Sequence, residues 1–290
     1  RLVTATLLTL AALAILSTAH AQTLELEGRY STISDFSYLA YDTAVDTKDR
    51  PLLVARTGTP PSRTVSVERL NPDGSRDGDY AASLTLPGFD PTARIAINGV
   101  DQAVVAGSIR PFDGNTRFPF VGRLLEDGTP DPAFGTDGVQ TYDFDEPVEA
   151  TGLALQGDRI LVGFHPTASG YCRIAALTSD GAIDTSFGTD GFAVFFTGAA
   201  RCTSRDLLLT DDGSLLLGEY RYDGQDAVSF VGAFNLDGSV QSEFGQSGRY
   251  LFGGNSDGLL ATTLAEWNDR IAVAGTFDDG SLAGVFVFAL

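Results

Sequence analysis

Apolar and polar positions along this chain fall into short bursts separated by Asp-Gly and similar turn pairs. That pattern predicts strands joined by tight turns. Four such runs follow one another at 139–144, 148–155, 159–164 and 171–177. After the first 21 residues no long apolar period of 3.6 residues occurs, so helices should be scarce. The middle runs, such as 207–209 and 215–217, are almost wholly apolar. This predicts strands covered on both faces.

The bursts repeat. The turn segment LLEDGTPDPAFGTDG begins at Leu124, returns as LTSDGAIDTSFGTDG from Leu177, and again as FNLDGSVQSEFGQSG from Phe234. A weaker copy, LNPDGSRDGDY, begins at Leu70. The turn glycines Gly74, Gly128, Gly181 and Gly238 recur at a nearly constant interval. Six residues after each comes an aromatic: Tyr80, Phe134, Phe187 or Phe244. Three residues after comes Asp77, Asp131 or Asp184, with Gln241 in the last copy. Between these turns lie five hairpins whose second run ends in a small residue: Ala55, Gly107, Gly163, Gly218 and Gly275. Gly28-Arg29-Tyr30 matches Gly248-Arg249-Tyr250 at an interval of four periods, which makes five units of about 55 residues.

Four antiparallel strands repeated at this length are the sequence form of a propeller blade, which buries its faces by stacking on its neighbours. The expectation is an all-β protein, a β-propeller of five four-stranded blades, with an open or truncated propeller as the alternative. Each unit is expected to supply all four strands of its own blade, with none lent between the termini. The aromatic after each turn should plug the seam between units.

The motif L-x-x-DG-x-x-D-x-x-FG-x-DG at this period resembles the delta-60 repeat proteins of bacteria. The match is strong in units two to four, weaker in unit one, and absent from unit five. The resemblance implies secretion and a β-propeller. It implies no activity and no catalytic residues.

Residues 1–21 read as a secretory signal peptide: Arg1, an apolar run at 2–16, and Ala19-His20-Ala21 as the cleavage site. The mature protein is then one propeller domain, 22–290, secreted or periplasmic, with no membrane insertion after cleavage. The formal charge is −19, and −20 without Arg1. Such a chain is repelled by phosphate backbones, which excludes nucleic acid as a partner. Hydrophobic residues make up 43% of the chain, enough to build a core and to exclude a disordered acidic tail.

Candidate chemistry is sparse. Of two histidines, His20 belongs to the leader and leaves His165 alone, so a zinc site is not expected. No nucleophile elbow, P-loop or dinucleotide fingerprint is present, so no catalytic residues, metal or cofactor are assigned. The Asp-Gly segments lack the ligand spacing of a calcium loop and read as backbone-capping turns. Cys172 and Cys202, in an exported chain, form one candidate disulfide across a seam. The connections after the small residues vary most between units and hold Arg56, Arg110, Arg117, Tyr220 and Arg221 on one face. Variable loops on a rigid scaffold are where binding resides. The leading expectation is therefore a non-catalytic binding scaffold and a monomer, whose partner is an unknown protein or glycan. The alternatives are a carbohydrate-active hydrolase, and a module of a larger surface or adhesive protein.

Overall fold

The computed structural model describes residues 39–290, save 59–63, 87, 112–113, 115, 145, 168–169, 195–200, 222–227, 253–258, 268–269 and 279–282. The expected leader and its cleavage site lie outside the described residues. The protein is an all-β propeller of five antiparallel sheets. The first comprises β1 (Leu39–Val45), β2 (Pro51–Thr57), β3 (Thr64–Leu70) and β4 (Arg76–Leu84). The second comprises β5 (Gly88–Ile97), β6 (Ala103–Pro111), β7 (Phe118–Leu124) and β8 (Val139–Thr141). The third holds β9 (Val148–Gln156), β10 (Arg159–Pro166), β11 (Arg173–Leu177) and β12 (Phe192–Val194). The fourth holds β13 (Arg201–Thr210), β14 (Gly213–Arg221), β15 (Val228–Asn235) and β16 (Arg249–Phe252). The fifth holds β17 (Leu259–Trp267), β18 (Arg270–Asp278) and β19 (Ala283–Ala289). The first strands pack against one another in succession, β1 on β5, β5 on β9, β9 on β13 and β13 on β17, and so form the inner wall. Among the described residues no helix is long and apolar enough to cross a membrane.

The core lies in the seams. Val105 of β6 packs with Val54 and Leu84 of the first sheet. Its neighbours Val104 and Ala106 face the other way and pack with Ile160 and Val162 of the third. Both faces of β6, β7, β10 and β15 are buried, which explains their continuous apolar runs, whereas β3 of the first sheet alternates.

The phase of the blades corrects the expectation that each unit supplies its own four strands. Each complete sheet takes three strands from one unit, and its outermost strand opens the next. The turn segment sets this phase. After Phe134 the chain folds back through Gly135 and Gly138, both at positive φ, and Arg123 N donates to Gly138 O at 2.9 Å. Val139 is thereby delivered opposite Gly122 on β7, and not to the start of a new sheet.

The repeat motif is a latch between sheets. Arg69, Arg123 and Arg159 pair with Asp77, Asp131 and Asp184 at 2.7–2.8 Å. Their guanidinium carbons sit 4.2, 4.9 and 5.5 Å above the rings of Tyr80, Phe134 and Phe187. Each arginine also donates to a carbonyl of the following turn: Glu126, Ser179 and Leu236, two residues before its glycine. The residue preceding each turn glycine is an aspartate that caps its own turn; Asp127 Oδ1 accepts from Thr129 N at 2.9 Å. Phe134 and Phe187 are fully buried. Phe244, expected to match them, is only partly buried, against a cluster of Val231, Ala233, Ala261, Leu264 and Val273.

Candidate functional site

In β1, β9, β13 and β17 a register irregularity falls opposite the small residue, Ala55, Gly163, Gly218 or Gly275, and in β5 it falls between Phe89 and Thr92, one pair before Gly107. The bulge crowds that position; a Cβ on Gly107 would collide with the Thr92 carbonyl oxygen. A bulge of this kind re-aims the side chains that follow it. The register aligns one position in all five inner strands: Asp42 opposite Val54, Arg94 opposite Ala106, Leu153 opposite Val162, Asp206 opposite Leu217, and Thr263 opposite Ala274. A structural repeat would place similar residues there. Two carboxylates, one arginine, one leucine and one threonine stand there instead.

The two carboxylates are held alike. Asp42 Oδ1 accepts from Thr43 N at 2.9 Å, and its Oδ2 from Ile95 N on β5 at 3.1 Å. Asp206 Oδ1 accepts from Leu207 N at 2.9 Å. Its Oδ2 accepts from Leu264 N at 2.8 Å and from Thr263 Oγ1 at 2.9 Å. Each side chain thus crosses to the inner strand of the next sheet. Burial pushes both carboxyls above the ordinary aspartate range. The hydrogen bonds and the Arg94 charge pull both back. One guanidinium therefore acts on both acids.

The neighbouring seam holds a second polar group. Thr151 and Ser204 hydroxyls meet at 2.6 Å, and Ser204 Oγ lies 3.2 Å from Nδ1 of buried His165. Burial drives His165 down to about 4, so it is neutral at ordinary pH. Cys172 and Cys202 form a disulfide beside it, with Cα atoms 5.5 Å apart. Cys202 N also donates to Gly170 O at 3.1 Å. The bridge ties the approach to β11 to the inner strand β13.

Of the residues singled out from sequence, Arg56 and Arg110 are the penultimate residues of β2 and β6, and Arg117 immediately precedes β7. All three are partly buried. They stand on the rim where the second strands end and the first strands begin, Arg56 in the first sheet and Arg110 and Arg117 in the second. Tyr220 and Arg221 end β14 on the same rim, and their side chains lie outside the described residues. Among the described residues no three His, Cys, Asp or Glu side chains are grouped to hold a metal. Asp42, Arg94, Asp206 and Thr263 were not found from sequence. Their signal, a change of residue type at one aligned position, emerges only when the inner strands are registered on the small residue.

No family profile and no curated protein matches the chain. Solved structures of similar fold include a GH32 beta-fructofuranosidase of Bombyx mori, at 10% identity and TM-score 0.46, over 88% of this chain and 62% of that one. A candidate glycoside hydrolase of Bacteroides ovatus matches at 10% identity and TM-score 0.45, over 86% of both chains. Another, of Parabacteroides distasonis, matches at 14% identity and TM-score 0.41, again over 86% of both. The chain spans about three fifths of the Bombyx mori enzyme. These chains share the all-β propeller form with the protein. The expectation of a non-catalytic binding scaffold is corrected here. The uniformity that argued against catalysis fails on the inner wall, where Asp42, Arg94 and Asp206 break the repeat.

Proposed function

We propose that the protein is a carbohydrate-active hydrolase, secreted or periplasmic, whose reacting groups are Asp42 and Asp206 on the inner wall. The observation that carries this reading is the pair itself: two carboxylates at one register position of β1 and β13, both raised by burial, both acted on by Arg94. Glycoside hydrolysis asks for two carboxyls in unequal states, one giving a proton to the leaving oxygen while the other, ionised, assists at the anomeric carbon. Burial supplies the tendency to hold a proton, and Arg94 supplies the tendency to stay ionised. Thr263 and the Leu264 amide orient Asp206, as Thr43 and Ile95 orient Asp42. The rim arginines would meet the more distant parts of a glycan. The leader read at 1–21 supports export to a compartment where extracellular glycans are met.

The test is a reducing-sugar and aryl-glycoside screen of the purified mature chain, followed by Asp42→Asn and Asp206→Asn on any substrate turned over. Removing one member of such a pair should lower kcat about a hundredfold or more. Absence of turnover across the screen, or full activity in both variants, rejects the reading.

A further inference from the structure

In four of the five sheets the third strand is covered by a fourth: β3 by β4, β7 by β8, β11 by β12 and β15 by β16. Among the described residues the fifth sheet ends at β19. Its outer row of backbone groups is a template for one more strand, and Val287 on it is 56% exposed.

We propose that the edge of β19 is a docking strip for this chain's own segment beginning Gly28-Arg29-Tyr30, which closes the ring. Three independent registers support that occupant. First, Gly28-Arg29-Tyr30 repeats Gly248-Arg249-Tyr250, and Arg249 opens β16, the strand that covers β15. Second, the chain distance agrees. The interval from Gly248 to Leu259, the start of β17, equals the interval from Gly28 to Leu39, the start of β1. The outer strand of one sheet therefore leads into the inner strand of the next over the same length in both places. The sheet that precedes β1 around a ring is the fifth. Third, the pairing positions coincide. Gly218 pairs with Phe230 and Gly275 with Phe286, so Val231 and Gly232 of β15 correspond to Val287 and Phe288 of β19. Tyr250 pairs with Val231 and Arg249 with Gly232. The same register sets Tyr30 opposite Val287 and Arg29 opposite Phe288.

A second copy of the chain is the competing occupant of an open edge. The segment that leads into β1 has the advantage of attachment, since a tethered strand meets the edge at a high effective concentration. The inference is independent of the hydrolase reading, and its test involves no substrate.

The experiment introduces Tyr30→Cys and Val287→Cys into the mature chain with Cys172 and Cys202 unchanged, and oxidises it at low protein concentration. The expected product is a cross-link within one chain, identified by non-reducing peptide mapping. A cross-link between chains would assign the edge to a second copy and overturn the proposal. So would the absence of a cross-link in a variant that melts like the parent. Hydrogen exchange on the unaltered mature chain gives a second readout. The outward amides of β19 should exchange about tenfold or more slowly than the outer-edge amides of β16. Equal rates would also overturn it.

Discussion

Phe134 lies directly beneath Gly181 of the following repeat: a Cβ built on that glycine would come within 2.9 Å of the ring Cζ. The same relation joins Tyr80 to Gly128 and Phe187 to Gly238. The turn glycine is needed twice over, because its φ of +89° is left-handed and because the ring leaves no room for a side chain. Gly181→Ala should therefore destabilise the protein by about 1–3 kcal/mol through strain and overpacking. Chemical denaturation would read this as a lower midpoint at unchanged slope. A neutral result would mean that the turn relaxes away from Phe134 at no cost.

The four aromatics are equivalent in sequence but not in burial, and this separates two variants. Phe187 is sealed by Gly238, whereas Phe244 is only partly buried. Phe187→Ala should cost about 3–5 kcal/mol, the range of a fully buried ring. Phe244→Ala should cost clearly less. Thermal melts of the two variants side by side check the order, and equal losses would contradict the account of the latch.

Much of this latch was legible in the chain. The turn glycine, the aspartate three residues on and the aromatic six residues on are local, and they recur at a fixed period. The phase of the blades was not legible. A repeat has a period but no starting point, and the choice depends on the turn at 135–138 folding back onto β7. The inner-wall residues were hidden for a different reason. Asp42, Arg94 and Asp206 lie in three different units of the chain, and a bulge in each inner strand shifts them against the repeat. Only pairing with the second strands brings them to one level. Arg159 shows the same limit on a smaller scale. It reaches Asp184 and Phe187 from β10, where the other two latches use the third strand.

The disulfide bridges positions 30 residues apart, both fully buried. Cross-linking a loop of this size constrains the unfolded chain and contributes about 3 kcal/mol. Cys172→Ala with Cys202→Ala should lower the melting temperature by several degrees, and reduction of the parent protein in denaturant followed by refolding under reducing conditions should match it. Unaltered melting of the double variant would show that packing alone holds the seam.

His165 makes the pH dependence of stability specific. Its imidazole is buried near Ser204, and burial lowers it from 6.5 to about 4, with the Arg205 charge acting in the same direction. In the unfolded chain the ring takes up a proton as the pH falls below about 6.5; in the folded chain it does not until about 4. The unfolded state therefore binds more protons across this window, and stability falls as the pH falls through it. A separation of that size corresponds to about 3 kcal/mol when the window has been crossed. Asp42 and Asp206 work in the opposite sense, since their raised carboxyls take up protons in the folded state first. Asp77 and Asp184, lowered by Arg69 and by Ser186 with Arg159 respectively, withdraw their support only at more acid pH. The histidine contribution is isolated by difference. The stability gap between the parent and His165→Asn, which keeps a polar group toward Ser204, should shift by about 2–3 kcal/mol in favour of the variant between pH 7.5 and 4.5. Urea unfolding at the two pH values measures the gap, and a constant gap would place the charge of His165 outside the folding equilibrium.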